Sequence, residues 1–211
     1  MKRMSMPRTW PLPRKGKPRF ILQPRGSKDN SIAVLAVIRD ILKISKTRAE
    51  TKKILSEGNV IINGKKIISD DFPVSLFDVI SVPKIGKNFL MLIKGKRLCL
   101  KEINEKESSA KIFKIVGKKV LNKGRMQLNL SGGVNLMQDT KANVGDSVVV
   151  DLKSGKISKH LPLKEHAKVF ITSGKNAGNE GIVSSVKSRD IEIKVNDIIV
   201  KIPSEKVWVI G

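Results

Sequence analysis

The segment from residue 47 to residue 66, TRAETKKILSEGNVIINGKK, carries three local folding signals in a fixed order. Thr47 and Glu50 form the capping-box pattern that marks the start of a helix. Gly58 stands where a helix can end, because glycine readily adopts the left-handed conformation that closes a last turn. An Asn-Gly pair at 63–64 lies between apolar residues, which is the strongest short signal for a β-hairpin. We therefore predict a helix followed by a hairpin.

Another helix is predicted immediately upstream, in the sequence DNSIAVLAVIRDILK that begins at residue 29. Asp29, Asn30 or Ser31 can cap this helix through a side-chain oxygen. The apolar residues that follow helical spacing are Leu35, Ile38, Ile41 and Leu42. The two helices and the hairpin form a helix-helix-hairpin unit, which we place at residues 31–87.

Basic side chains concentrate in this unit, which has ten basic and six acidic residues. Seven of the basic residues lie on or beside the second helix and the hairpin: Lys43, Lys46, Arg48, Lys52, Lys53, Lys65 and Lys66. Rigid elements would hold these charges in a fixed geometry that suits phosphate groups, so we expect them to bind nucleic acid together with Thr47 and Asn63. The alternative is a solvated surface without a partner.

The charge of the whole chain narrows the class of partner. There are 42 basic and 19 acidic residues, with a formal net charge of +23. Such a chain repels itself unless an anion neutralises it, and nucleic acid is the obvious polyanion. A membrane surface is the rival, but the sequence shows neither a basic amphipathic helix with a broad apolar face nor an apolar run long enough to span a bilayer. We expect nucleic acid and no membrane as partner.

Residues 1–30 are predicted to form a basic extended arm. They hold nine basic residues, one acidic residue and five of the nine prolines, and they show no helical or strand period. Phosphate contacts can offset the entropy of ordering such a segment. Trp10, Phe20, Ile21 and Leu22 are anchors that a tail without a function would lack. The expected RNA contacts of the arm are Arg3, Arg8, Trp10, Arg14, Lys15, Lys17, Arg19, Arg25 and Lys28.

Residues 88–162 are predicted to form a central, mainly β domain, because short apolar runs alternate with glycine, asparagine and lysine. This segment has fifteen basic and six acidic residues. Lysines beside its tight turns can either hold phosphate or only increase solubility. The RNA contacts expected here are Lys118, Lys119, Lys123 and Arg125.

Residues 163–211 are predicted to form a small SH3-like barrel. Val169 and Ile171 alternate before glycines at 174, 178 and 181, and later strands can complete the barrel. The segment has eight basic and six acidic residues, so it can meet proteins as well as phosphates. Lys175 and Asn176, in the open loop, are the expected contacts with RNA or protein.

Several stretches resemble known families. TRAETKKILSEGNVIINGKKIISDDFPVSLFDVISV resembles the S4-type RNA-binding module, which also occurs in some pseudouridine synthases and a class of tRNA synthetases. The chain resembles the small-subunit ribosomal protein family S4e of archaea and eukaryotes over nearly its full length, notably in the stretches RTWPL, FPVSLFDVISVPKIGKNF and VWVIG. The stretch EHAKVFITSGKNAGNEGIVSSV resembles the KOW motif. The resemblance implies a structural role for Asp78. LSGGVNL departs from the family's Asp-Gly-Arg-Asn turn, which leaves the contacts of residues 131–135 open.

The sequence offers no pattern of an enzyme. It lacks the GxxxxGK[ST] loop, the GxGxxG fingerprint, the HExxH motif and a cysteine-histidine metal set, and a single cysteine, Cys99, excludes a disulfide framework. His160 and His166 are expected to be linker or surface residues. The basic N-terminus lacks the apolar core of a signal peptide, so we expect a cytoplasmic protein. No cofactor, metal or small-molecule substrate is expected.

The prediction is therefore an α+β, multidomain constituent of the small ribosomal subunit that binds rRNA and neighbouring ribosomal proteins. Aromatic residues make up 4% of the chain and tyrosine is absent, which argues against successive base stacking on a sheet and for recognition of RNA shape and backbone. A stand-alone RNA-binding factor is the main alternative, and a subunit of an RNA-modifying enzyme is a further one.

Overall fold

A computed structural model describes residues 1–28, 31–121, 125–138, 142–187, 190–196 and 198–211. It is mostly β-strand with few helices and several sheets. The expectation of an α+β fold overstates the helical part, since the described residues form seventeen strands but only three short α-helices and one π-helical segment. Two compact units, Met1–Ser109 and Ala110–Gly211, are described separately below.

The first unit is built around a five-stranded antiparallel sheet with the strand order β3-β2-β5-β6-β7. A separate pair joins β1 to β4. The strands are β1 (Ser31–Ala33), β2 (Ile61–Ile62), β3 (Lys65–Lys66), β4 (Pro73–Ser75), β5 (Val79–Val82), β6 (Lys87–Lys94) and β7 (Arg97–Ile103). The helices are α1 (Val34–Ala36), α2 (Arg48–Ser56) and α3 (Glu105–Ser108). Because β6 and β7 pair onto β5, this sheet crosses the domain boundary expected at residue 87.

The first predicted helix starts later than expected. Ser31 belongs to β1, where it pairs with Ser75, and α1 begins at Val34 without a side-chain cap. The N–H groups of Val34 and Leu35 donate instead to the carbonyl oxygens of Phe72 and Asp70, at 2.9 and 3.1 Å, so backbone groups replace the cap. The helix continues as a π-helical segment, Val37–Ile41. Asp29 and Asn30 lie outside the described residues.

The predictions for α2 are confirmed. Thr47 Oγ1 accepts a hydrogen bond from the N–H of Glu50 at 3.2 Å, and the Glu50 carboxylate accepts from the N–H groups of Lys46 and Thr47. These bonds from backbone N–H groups hold the pKa of Glu50 below its usual value. At the other end, Gly58 has a φ of 70° and its N–H donates to Leu55 O, which closes the helix as expected.

The hairpin is confirmed as well. Asn63 and Gly64 have φ values of 50° and 77°, the two positive angles that a type I′ turn requires, and they join β2 to β3. The side chain of Asp78 is buried beneath this turn and accepts from Asn63 Nδ2 at 2.9 Å and from Ser75 N at 2.6 Å. Asp78 therefore has the structural role that was expected of it.

The N-terminal segment packs into the first unit, so the prediction of an extended arm for residues 1–30 is wrong for the described part. Met6 and Trp10 are each 1% exposed, and Leu12 and Ile21 are also buried. The free energy gained by burying these side chains offsets the conformational entropy that the segment loses on ordering, so no RNA is needed to order it. The prediction did not include this burial.

Hydrogen bonds fix the same segment to distant parts of the unit. Trp10 Nε1 donates to Lys28 O at 3.2 Å, and the N–H of Leu98 in β7 donates to Thr9 O at 2.7 Å. The guanidinium group of Arg3 is buried and donates to Lys17 O at 2.7 Å. The segment is thus an ordered layer of the first unit.

The second unit contains two five-stranded antiparallel sheets. The first has the order β10-β9-β8-β11-β12 and the second the order β16-β15-β14-β13-β17. The strands of the first are β8 (Ala110–Val120), β9 (Met126–Leu130), β10 (Asn135–Met137), β11 (Ser147–Asp151) and β12 (Ile157–Leu161). The strands of the second, which we call the C-terminal sheet, are β13 (Lys168–Ile171), β14 (Glu180–Val186), β15 (Asp190–Val195), β16 (Ile198–Pro203) and β17 (Val207–Val209).

The C-terminal sheet does not close into a barrel within the described residues, since β16 and β17 are its edges and a single 3₁₀ turn, Ser204–Lys206, separates them along the chain. Its core includes Val169, Ile171 and Val183. Gly181 allows close packing, because a Cβ atom there would lie 2.5 Å from Ile193 Cγ2.

Two buried polar side chains hold together parts of the second unit that are separated in sequence. Lys114 is buried, and its Nζ donates to the carbonyl oxygens of Ser204 and Val207, the latter at 2.8 Å. The buried carboxylate of Asp146 accepts from Leu163 N at 2.9 Å and lies 2.7 Å from His160 Nε2. His160, which was expected to be a linker or surface residue, instead belongs to β12 and contacts this carboxylate.

Candidate nucleic-acid interface

Six lysines of the helix-helix-hairpin unit form an exposed basic surface, which we call the helix–hairpin surface: Lys43, Lys46, Lys52, Lys53, Lys65 and Lys66. None of them forms an ion pair with any acidic residue of the described part of the chain. These positive charges are therefore available to an external anion.

Buried contacts hold this surface in place. Leu55 and Thr51 of α2 are both fully buried, and Thr51 Oγ1 lies 2.6 Å from Ser45 Oγ. The aliphatic part of Lys66 passes over Gly58, where an added Cβ would lie 3.3 Å from Lys66 Cδ. The second strand of the hairpin, β3, and the C-terminal end of α2 are thus adjacent, and the helix dipole favours positive charge at that end.

Three of the residues predicted for this region have structural partners. Arg48 Nε donates to Asp70 Oδ2 at 2.7 Å, and the Arg48 side chain remains 52% exposed. Thr47 is engaged as the cap of α2. The side-chain amide of Asn63 bonds to Asp78 and also accepts from Val79 N at 3.0 Å. Thr47 and Asn63 position the basic residues, while half of Arg48 is still accessible.

The N-terminal segment presents most of its predicted contacts to solvent. Seven of the nine are exposed: Arg8, Arg14, Lys15, Lys17, Arg19, Arg25 and Lys28. Arg25 pairs with Asp71 at 3.3 Å. The other two, Arg3 and Trp10, are 8% and 1% exposed, so burial removes them from the RNA-contacting surface and gives them a packing role.

A second basic hairpin of the first unit was missing from the predicted contacts. The β6–β7 turn exposes Lys94, Lys96 and Arg97. β2 and β6 both run antiparallel to β5, so they run in the same direction and both hairpin turns lie at the same end of the sheet. The pattern IKGKRL, a glycine between basic residues, is the sequence signal that could have identified this turn.

The basic residues of the second unit are used in different ways. Lys119 and Arg125 are exposed near the end of the β8–β9 hairpin, whereas Lys118 is half-buried opposite the buried Leu128. Lys123 lies outside the described residues. The ammonium group of Lys111 is 4.5 Å from the centre of the Phe113 ring, and both side chains are buried. Only part of the basic central segment is therefore free to meet an anion.

The last two predicted contacts lie in the loop between β13 and β14 and differ in exposure. Lys175 is exposed, whereas Asn176 is half-buried.

No helix in the described ranges is long and apolar enough to cross a membrane. Nor do those ranges contain three histidine, cysteine, aspartate or glutamate residues grouped so that they could hold a metal ion.

Comparisons with known proteins show which family the chain resembles. The model of the ribosomal family S4e matches residues 85–157. The small ribosomal subunit protein eS4 of Methanosphaera stadtmanae is 37% identical over 190 residues, which cover 89% of this chain and 79% of that protein. The same protein of Nanoarchaeum equitans is 30% identical over 195 residues, or 90% and 83% of the two chains.

A solved structure supports the same assignment. The crystal structure of the 30S ribosomal protein S4e from Thermoplasma acidophilum superposes with a TM-score of 0.76 at 27% sequence identity, and the match covers 87% of this chain and 96% of that chain. With relatives of this identity matched over most of their length, the chain belongs to the ribosomal family S4e.

Proposed function

We propose that this protein is a structural constituent of the small ribosomal subunit and that it binds small-subunit rRNA. The observation that carries the proposal is the helix–hairpin surface, where six exposed lysines on α2, on the hairpin and in the segment before α2 form no ion pair with an acidic residue of the described chain. Membership of a family of ribosomal proteins supports the same function. Neighbouring ribosomal proteins are the other expected partners, and the ribosome places the protein in the cytoplasm.

The mechanism is neutralisation of phosphate groups by pre-positioned cations. Each phosphate that a lysine neutralises releases condensed counterions, so the affinity falls as salt rises, with a logarithmic slope of about −0.7 to −0.9 per contact. The capped helix and the hairpin are ordered before binding, which lowers the entropy cost of association. RNA shape, read through backbone positions, then provides the specificity.

The finer architecture is part of the proposal. We infer that residues 31–87 are an S4-type RNA-binding domain, extended by the β6–β7 hairpin, and that the C-terminal sheet is an SH3-like unit of the KOW type. In support, the C-terminal sheet consists of five short antiparallel strands, in which β13 to β16 pair in chain order and β17 returns to pair with β13. Residues 88–162 then supply the central, mainly β part.

The proposed rRNA contacts are basic side chains that remain exposed, and two of them, Arg25 and Arg48, also pair with a carboxylate. They are the six lysines of the helix–hairpin surface, the exposed part of Arg48, the seven predicted basic residues of the N-terminal segment that are exposed, Lys94, Lys96, Arg97, Lys119 and Arg125. Lys118, Lys175 and Asn176 are further candidates, of which the last two could also meet a protein.

Co-sedimentation tests this function. Ribosomes from cells that express a tagged copy are washed at high salt and separated into subunits. A ribosomal constituent remains with the small subunit in about one copy per particle, because it is bound within folded rRNA. Loss of the protein into the wash, with purified protein still binding RNA, would indicate a stand-alone factor and contradict the proposal.

A further inference from the structure

Phe20 is the one exposed aromatic side chain of the protein. The chain has six phenylalanines, two tryptophans and no tyrosine, and all eight aromatic residues lie within the described ranges. The other seven are buried or half-buried, whereas Phe20 is 63% exposed. Leaving a large apolar side chain in water costs free energy that burial would recover.

The backbone around Phe20 is held on both sides. Phe20 forms a β-bridge with Lys2, and its neighbour Ile21 is buried. The N–H of Ile21 donates to Met1 O at 3.0 Å, and the N–H of Arg3 donates to Arg19 O at 2.9 Å. The ring therefore projects from an ordered part of the chain and is presented to solvent in a fixed position.

The surroundings of the ring are cationic. The guanidinium carbon of Arg19 lies 6.0 Å from the centre of the Phe20 ring, and Arg19 and Lys17 are both exposed. Residues 1–28 contain nine basic residues and no acidic residue. An apolar protein partner would also cover a phenylalanine, but this uniformly positive setting favours an anionic partner that has flat apolar groups of its own.

We infer that Phe20 is a stacking platform for one unpaired base of rRNA, with Arg19 and Lys17 on the adjoining phosphates. Unstacked bases pack on aromatic rings and on arginine planes, and such a contact tolerates any base because every base has a π face. This inference rests on the proposed rRNA binding. It adds a single-stranded nucleotide to a surface that otherwise recognises only phosphates.

The experiment uses the full-length protein and purified small-subunit rRNA, with the variants Phe20→Leu and Phe20→Trp. Loss of one stacking contact weakens binding by about 5- to 150-fold, while the salt dependence stays the same because no charge changes. Phe20→Trp retains the aromatic surface and therefore the affinity. Ultraviolet irradiation of the wild-type complex, followed by mass spectrometry, yields a nucleotide attached at Phe20.

Met4→Ala is the matched control, because Met4 is also 63% exposed but has no aromatic ring. Its affinity stays at the wild-type value, and melting temperatures show that every variant folds. If the wild-type protein binds rRNA and Phe20→Leu binds it equally well, stacking is refuted. Reduced assembly into subunits with unchanged rRNA affinity would assign Phe20 to a protein partner and also overturn the inference. Failure of the wild-type protein to bind rRNA would instead refute the proposed function.

Discussion

The lysines of the helix–hairpin surface and those of the C-terminal sheet differ in what neutralises them. In the C-terminal sheet, Lys168 and Lys187 pair with glutamates at 2.8 and 2.7 Å, and Lys201 pairs with Asp190 at 3.4 Å. The pairing with Glu192 raises the pKa of Lys187. On the helix–hairpin surface, the exposed lysines form no ion pair with an acidic residue among the described residues.

The difference shows that net charge alone does not locate a nucleic-acid interface. A lysine that already has a carboxylate beside it gains little from a phosphate, because the carboxylate must first be displaced or will repel the phosphate. A lysine without a partner gains the full interaction and releases counterions. The distribution of acidic residues therefore separates a binding surface from a surface that is merely soluble.

The largest effect is the loss of rRNA affinity that is expected when lysines of the helix–hairpin surface lose their charge. The triple replacement Lys52→Gln, Lys53→Gln and Lys66→Gln removes charge-assisted contacts worth about 1.5 to 3 kcal/mol each, so rRNA affinity falls by several powers of ten. The logarithmic salt slope also becomes shallower by about 2 to 3. Filter binding at several salt concentrations measures both quantities.

The matched control changes the same number of charges in the C-terminal sheet. Lys168→Gln, Lys187→Gln and Lys201→Gln together should leave the salt slope nearly unchanged, because these lysines are neutralised within the chain. Equal losses for the two triple variants would mean that only total charge matters, and the distinction between the surfaces would be lost.

The next largest effect is a loss of stability in the N-terminal segment, whose exposed basic residues are held in place by buried side chains. Trp10→Ala removes a fully buried indole and a hydrogen bond, so the free energy of unfolding should fall by about 3 to 5 kcal/mol. Chemical denaturation of the isolated protein measures the change. An unaltered free energy of unfolding would show that the segment is held only when RNA is present.

Lys114 gives an intermediate effect that depends on pH. Burial lowers the pKa of Lys114 from 10.5 to about 8, so between these values the unfolded chain holds a proton that the folded protein has lost. Stability should therefore rise as pH increases from 8 to 10, by up to about 1 kcal/mol per pH unit. A neutral amine keeps two N–H donors, which suffice for the carbonyl oxygens of Ser204 and Val207.

The control for this pH dependence is Lys114→Met, in which the titrating group is absent. Unfolding free energies measured at pH 8, 9 and 10 should rise for the wild-type protein and change less for the variant. Parallel curves for the two proteins would exclude Lys114 as the source.

The smallest effect is expected for the ion pairs of the C-terminal sheet. Lys168→Gln breaks the ion pair with Glu180. Because the side chains of Lys168 and Glu180 are 57% and 53% exposed, the free energy of unfolding should fall by less than about 1 kcal/mol. Thermal unfolding measures this loss. A large loss would mean that the pairs stabilise the sheet and were not simply a means of neutralising its charge.

The local signals of the sequence predicted α2 and the hairpin correctly. The capping box of Thr47 and Glu50 and the Asn-Gly turn at 63–64 each depend on residues a few positions apart, and the structure contains both. Such features need no knowledge of distant parts of the chain.

Features that depend on distant contacts were predicted poorly. The burial of Trp10 follows from contacts such as that between Thr9 and Leu98, which lie far apart in sequence and leave no periodic pattern. His160 reaches Asp146 only because β12 pairs with β11. Basic residues were predicted from charge alone, so Arg3, which folding buries, was included, and Lys94, Lys96 and Arg97 were omitted.

Hydroxyl-radical footprinting of small-subunit rRNA shows whether the helix–hairpin surface binds it, because the method records which riboses the protein covers. The triple variant of Lys52, Lys53 and Lys66 should lose a discrete set of the wild-type protections, while the triple variant of the C-terminal sheet should retain that set. A footprint of the first variant that matches the wild type at saturating protein would contradict the assignment of the helix–hairpin surface to rRNA.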